Sequence, residues 1–189
     1  MLKEKEFDSL AKSKIGYMST AGIAVLLLTV SMAVMTPAAL AISPTITDAT
    51  GDAENNDPNF DITSAGITDK NILSMTVAGK AGGTTPSDPS QANLVYAYVF
   101  ITDVGVIAVT SHQAEDSGQV KNDLKWHAHL VTLDNGCVTS IEDFGKAKLR
   151  DSRIDVSQTG ATSVSQVLTA ELTISDSTVC VTQVWDSAS

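Results

Sequence analysis

Alternation of apolar and polar residues is the feature that most constrains the fold of this chain. In VSQVLTAELTIS, residues 164–175, apolar side chains fall on one face of an extended strand and mostly polar ones on the other. NILSMTV alternates in the same way, whereas NLVYAYVFI is apolar on both faces, as in a strand covered on both sides. About eight such strands, separated by turn residues, predict an all-β domain. We expect an antiparallel, jelly-roll-like β-sandwich.

The first 41 residues have the organisation of an export signal. Lysines lie near the amino terminus, the apolar run 21–35 follows, and Ala39-Leu40-Ala41 forms an A-x-A cleavage site. We predict cleavage after Ala41, which leaves residues 42–189 as a single exported domain, extracellular, periplasmic or on the cell surface. The alternative is an uncleaved anchor, in which case residues 15–41 contact the membrane and the domain still lies outside.

The charge of the chain narrows the classes of partner. Its formal net charge is −10 at pH 7. Nucleic acids and anionic lipid surfaces repel such a protein, so nucleic-acid binding is excluded as a function. An acidic surface suits solubility outside the cell or the binding of cations, and composition alone leaves both open.

The chain has two cysteines, Cys137 and Cys180, and both follow the predicted signal. An even number of cysteines in an exported chain predicts a disulfide bond between them. The alternative is a thiol that binds copper or takes part in redox chemistry.

A β-hairpin is predicted around Asn135-Gly136, the preferred pair for a two-residue turn. If Asp134 pairs with Cys137, Glu142 lies opposite His129 and Phe144 lies opposite His127. Alternation then separates two faces of the hairpin. The predicted core face carries Trp126, Ala128, Leu130, Cys137 and Ile141, and the outer face carries the histidines and Glu142.

The segment KWHAHL places His127 and His129 two residues apart, on the same face of a strand. Imidazole is a preferred ligand of both copper and zinc, so this pair could hold either metal. Glu142 is a candidate third ligand, or an acceptor that orients His129. His112 is a further candidate, although nothing in the sequence sets its register. The alternative is that the histidines are solvated residues on the outer face.

Acidic residues are concentrated in TDATGDAENNDPNFDI, near the start of the exported part. Calcium takes six to eight oxygen ligands at loose geometry, and a flexible acidic turn can supply them. The candidate calcium ligands are Asp48, Asp52, Glu54, Asp57 and Asp61. The alternative is an ordinary solvated turn rich in Asp and Asn.

The stretch DATGD, followed by FDITSAGIT and LSMTV, resembles the opening of DOMON-like and family 9 carbohydrate-binding-module-like β-sandwiches. The resemblance implies an exported sandwich with a structural cation near Asp48, Asp52 and Asp61. It also implies a sheet face that binds sugar or, in some relatives, haem. The chain departs from this pattern because it offers no obvious pair of exposed aromatic residues to stack on a sugar.

These patterns predict a non-enzymatic protein, since no complete catalytic motif occurs in the chain. We expect an exported binding or cell-envelope interaction module, stabilised by calcium, whose ligand is a glycan or a protein. One alternative is an exported copper- or zinc-binding protein that uses His127 and His129. A second alternative is a structural subunit of a surface or membrane complex.

Overall fold

The computed structural model describes residues 45–114 and 124–189. The predicted export signal, its cleavage after Ala41 and the alternative membrane anchor within 15–41 lie outside the described residues. Within the described ranges, no helix is long and apolar enough to cross a membrane. The regular secondary structure of the described residues consists of β-strands, apart from one turn of 3-10 helix at Pro89–Gln91.

The strands are short to medium in length and follow one another along the chain. They are β1 (Ile46–Thr47), β2 (Ile62–Ile67), β3 (Leu73–Val77), β4 (Leu94–Thr102), β5 (Gly105–His112), β6 (His127–Asp134), β7 (Cys137–Asp143), β8 (Lys146–Arg150), β9 (Arg153–Ser157), β10 (Val164–Ser175) and β11 (Thr178–Ala188).

Two antiparallel sheets form the architecture. The five-stranded sheet has the order β1-β2-β3-β9-β8. The other six strands have the order β10-β11-β7-β6-β5-β4, and β4 also pairs with β10, so that this sheet closes on itself. We refer to it as the closed sheet. The predicted all-β fold with sheet packed on sheet is confirmed, while the closure of one sheet was not predicted.

Two apolar cores lie on the two faces of the closed sheet. Its outer face packs against the five-stranded sheet, and this larger core includes Phe60, Met75, Tyr98 and Trp185. The inner face carries a smaller core that includes Val95, Ala97, Val99, Ala108, Val131, Ala170 and Leu172. Strand β4 contributes to both cores, Tyr96, Tyr98 and Phe100 outward and Val95, Ala97 and Val99 inward. This confirms the prediction that NLVYAYVFI is covered on both faces.

The β6–β7 hairpin follows the predicted register only near its turn. Asp134 pairs with Cys137 and Leu133 with Val138, but an irregularity between Thr132 and Leu133 shifts the pairs beyond it by one residue. His129 therefore lies opposite Asp143, and the predicted pairing with Glu142 is wrong. The shift also places Ile141 opposite Val131, on the face of His129, so its predicted position on the face of Leu130 is wrong.

The predicted disulfide bond between Cys137 and Cys180 is present. These cysteines also form the single strand pairing that joins β7 to β11. The disulfide therefore lies at the seam that closes the sheet. A disulfide of this kind suggests an oxidising, exported environment.

Candidate metal centre

The three histidines of the chain come together on the inner face of the closed sheet. β5 and β6 are neighbours, with Ala108 opposite His129 and Thr110 opposite His127, so alternate residues on both strands point inward. His112 lies two residues beyond Thr110 on the same face. The ring centroid of His127 lies 5.0 Å from that of His112 and 4.7 Å from that of His129. One potential ligand nitrogen from each ring lies within 4.8 Å of the others.

Each of these rings has an oxygen atom near its Nδ1. The Nδ1 of His112 lies 2.5 Å from the carbonyl oxygen of Ala114, and that of His127 lies 2.7 Å from the carbonyl oxygen of Lys125. The Nδ1 of His129 lies 3.5 Å from an oxygen of Asp143. A carbonyl oxygen only accepts hydrogen bonds, so Nδ1 is the donor in the first two rings. Nε2 is then the nitrogen with the lone pair that can bind a metal, as in many metal sites.

Burial distinguishes this group from histidines on a solvated surface. His129 is 1% exposed and His112 is 3% exposed, while His127 is partly buried. The predicted alternative of a solvated outer face is therefore wrong. Alternation along the hairpin predicts one buried and one solvent-exposed face, whereas a closed sheet that packs on a second sheet buries residues on both faces.

Glu142, the predicted third ligand or acceptor, does not belong to this group. It pairs with Leu130, on the face opposite that of His129, and its side chain is exposed. Asp143 occupies the position predicted for Glu142. Both acidic residues stand in the sequence IEDF, and the choice between them depends on the irregularity in β6–β7, which no residue in the segment marks.

A second group that could hold a metal consists of Asp48, Asp52 and Asp186. Asp48 and Asp52 were among the predicted calcium ligands, whereas Asp186 lies far along the chain on β11 and was missed. Burial, followed by the nearby charges of Asp48 and Asp52, raises the pKa of Asp186 to about 6. One oxygen of Asp186 accepts a hydrogen bond of 2.6 Å from the backbone N–H of Ile62.

The other predicted calcium ligands lie outside this group. Asp57 accepts hydrogen bonds from the Asn59 backbone N–H and the Thr84 hydroxyl. Asp61 is buried and accepts one from the Gly51 backbone N–H. Glu54 is exposed. The carboxylates of Asp57 and Asp61 therefore stabilise the loop that the sequence suggested would bind calcium.

We expect Asp186→Asn to stabilise the protein at pH 7 in the presence of a chelator, and to have little effect near pH 4. The folded protein holds a proton on Asp186 up to about pH 6, whereas the unfolded chain releases it near pH 4. The free energy of unfolding of the wild type therefore falls as the pH rises from about 4 to about 6. Asn keeps an oxygen that can accept from Ile62 but does not ionise. Urea unfolding of both proteins at the two pH values measures the effect, and an equal pH dependence would contradict it.

A cavity of about 440 Å³ lies inside the closed sheet, and we refer to it as the chamber. Its wall consists mainly of aliphatic side chains from all six strands, together with Thr110, His112 and His129. The candidate metal centre therefore borders an apolar space.

Comparison with protein-family models, with curated proteins and with solved structures found no match. The resemblance to DOMON-like and family 9 carbohydrate-binding-module-like domains stays a prediction.

Proposed function

We propose that the protein is an exported metal-binding protein that holds one copper(II) or zinc ion between His112, His127 and His129. The observation that supports this most strongly is that all three histidines of the chain meet on one face of two neighbouring strands. The sequence suggested this function as an alternative to a calcium-stabilised binding module. The convergence of a third histidine, together with the burial of the group, makes it the better supported of the two.

The donor atoms favour copper(II) or zinc over other metals. Imidazole nitrogens suit both ions, whereas magnesium and calcium prefer oxygen ligands. Copper(I) favours sulfur ligands, but both cysteines form the disulfide and Met75 is buried in the core between the sheets. Copper(II) binds a given set of nitrogen ligands more tightly than zinc, so the supply of metal decides which ion occupies the site.

Three protein ligands leave a coordination position for an external ligand. This arrangement fits a protein that carries a metal or binds a small molecule through it. The absence of enzymatic activity stays a prediction. Export through a signal at residues 1–41, cleaved after Ala41, is part of the proposal, and the Cys137–Cys180 disulfide supports it.

A metal-retention experiment tests the proposed function. Protein purified without a histidine tag is stripped with chelator, equilibrated with copper(II), zinc or both, and dialysed before elemental analysis. We expect one equivalent of metal from either single-metal solution and a preference for copper from the mixture. Retention of neither metal would contradict the proposal.

We expect Asp143→Asn to weaken zinc binding by about tenfold or more, because the carboxylates that orient a metal-binding histidine typically contribute 10–100-fold to affinity. Asp143 lies beside the Nδ1 of His129. Competition with a chromophoric zinc chelator measures the affinity. Glu142→Gln is the matched control, since it changes the adjacent acidic residue on the other face and should leave the affinity unchanged. Equal effects of the two substitutions would contradict the role of Asp143.

Calcium binding by Asp48, Asp52 and Asp186 stays a prediction. A divalent cation would offset the repulsion between these carboxylates, which contributes to the raised pKa of Asp186. The structural-subunit alternative and a glycan or protein partner also stay predictions, and none of the described contacts favours them.

A further inference from the structure

We propose that the chamber binds a single-chain aliphatic carboxylate, with the chain among the aliphatic side chains and the carboxylate at the histidine end. The placement of the carboxylate rests on the proposed function, because at the histidine end the carboxylate would fill the open coordination position of the bound metal. The position of the chain rests on the chamber alone. The protein would thus bind a fatty-acid-like molecule through its metal.

Small residues create the space inside the closed sheet. Ala97 on β4 lies opposite Ala170 on β10, and Ala108 on β5 lies opposite His129 on β6. All three alanines line the chamber. A six-stranded closed sheet has a narrow interior that larger side chains would fill. With alanine at these inward positions, about 440 Å³ remains, which lies within the range of roughly 300–1,000 Å³ typical of small-molecule sites.

Three of the apolar side chains that line the chamber are also exposed to solvent. Leu133, Ile141 and Val184 line it and are 40%, 49% and 41% exposed. Each lies four residues along the chain from Cys137 or Cys180, the pair that joins β7 and β11 at the seam. A cluster of exposed apolar residues that continues into an apolar cavity is typical of an entrance for an apolar ligand.

The polar groups of the chamber include a cluster around the histidines. Thr110 is buried, lines the chamber beside His112 and His129, and its hydroxyl has no hydrogen-bond partner among the described residues. A buried hydroxyl without a partner is costly, and a ligand oxygen would offset this cost. A long aliphatic wall with a polar cluster matches a molecule with one chain and one polar head. A carboxylate is the head that both a divalent metal and a hydroxyl donor bind well.

The test uses decanoate as the probe and isothermal titration calorimetry as the measurement. We expect one equivalent of decanoate to bind the zinc-loaded protein, more tightly than the zinc-free protein, and acetate to bind weakly because it lacks the chain. Ala170→Phe should abolish decanoate binding by filling the chamber while leaving the histidines in place. This variant places a large side chain at a buried position, so a pair of variants at exposed positions is also needed.

Val184→Asp and Val104→Asp form that pair. Both valines are exposed to a similar extent, 41% and 40%, but only Val184 lines the chamber. We expect Val184→Asp to weaken decanoate binding by about tenfold or more, because it places a charge at the apolar entrance, and Val104→Asp to leave it unchanged.

If zinc binds but decanoate does not, or if both variants behave alike, the inference is overturned and the proposed function stands. If zinc does not bind but decanoate does, with the expected difference between the variants, the chamber is supported and the metal-bound carboxylate is overturned.

Discussion

His129→Ala is expected to remove stoichiometric copper or zinc from the protein under dialysis conditions that leave one equivalent on the wild type. His129 is the most buried of the three histidines, and it contacts both the ring of His127 and the carboxylate of Asp143. Removing a direct ligand should cost more than the roughly 10–100-fold loss seen when an orienting group is removed. Elemental analysis of the dialysed proteins measures the change. His112→Ala and His127→Ala should each lower affinity as well.

The control for this prediction separates the loss of a ligand from the loss of the fold. Glu142→Gln is on the neighbouring strand, outside the histidine group, and should retain metal like the wild type. Far-ultraviolet circular dichroism of metal-free His129→Ala should match that of metal-free wild type. A folded His129→Ala protein that still retains one equivalent of metal would contradict the proposed centre.

Replacing both Cys137 and Cys180 with alanine is expected to destabilise the protein by about 3–4 kcal/mol on the chain-entropy estimate for a loop of this length. The two cysteines are separated by 43 positions. They also form the one pairing between β7 and β11, so their loss leaves the seam of the closed sheet without a covalent link. Urea unfolding followed by circular dichroism measures the free energy of unfolding. Metal binding should persist in the folded variant, because β5 and β6 pair independently of this seam.

Reduction of the wild-type disulfide gives an independent version of the same experiment. Dithiothreitol should lower the stability of the wild type to about that of the alanine variant, and it should have no effect on the variant itself. An alanine variant as stable as the oxidised wild type would show that the disulfide does not stabilise the closed sheet.

Local alternation predicted the strands well, because each strand buries a defined set of side chains. The prediction for NLVYAYVFI as a strand covered on both faces followed from its composition alone. Closure of the sheet could not be predicted in this way. It depends on the pairing of β4 with β10 and of β7 with β11, which joins residues distant in sequence, and no local pattern records such a pairing.

The candidate site was predicted in part, for a related reason. His127 and His129 stand two residues apart, so their common face could be read from the sequence. His112 joins them only because β5 pairs with β6, and Asp143 replaces Glu142 only because of one irregularity in the hairpin. Asp186 joins Asp48 and Asp52 from the last strand of the domain. Long-range pairing and a one-residue shift therefore account for what the sequence left undetermined.

Anomalous diffraction from crystals grown with zinc tests the central claim most directly, because it locates the metal as well as detecting it. Data collected on both sides of the zinc absorption edge identify the element. We expect one strong peak between the rings of His112, His127 and His129. A peak only at Asp48, Asp52 and Asp186, or no ordered zinc in the protein, would contradict the proposed metal centre.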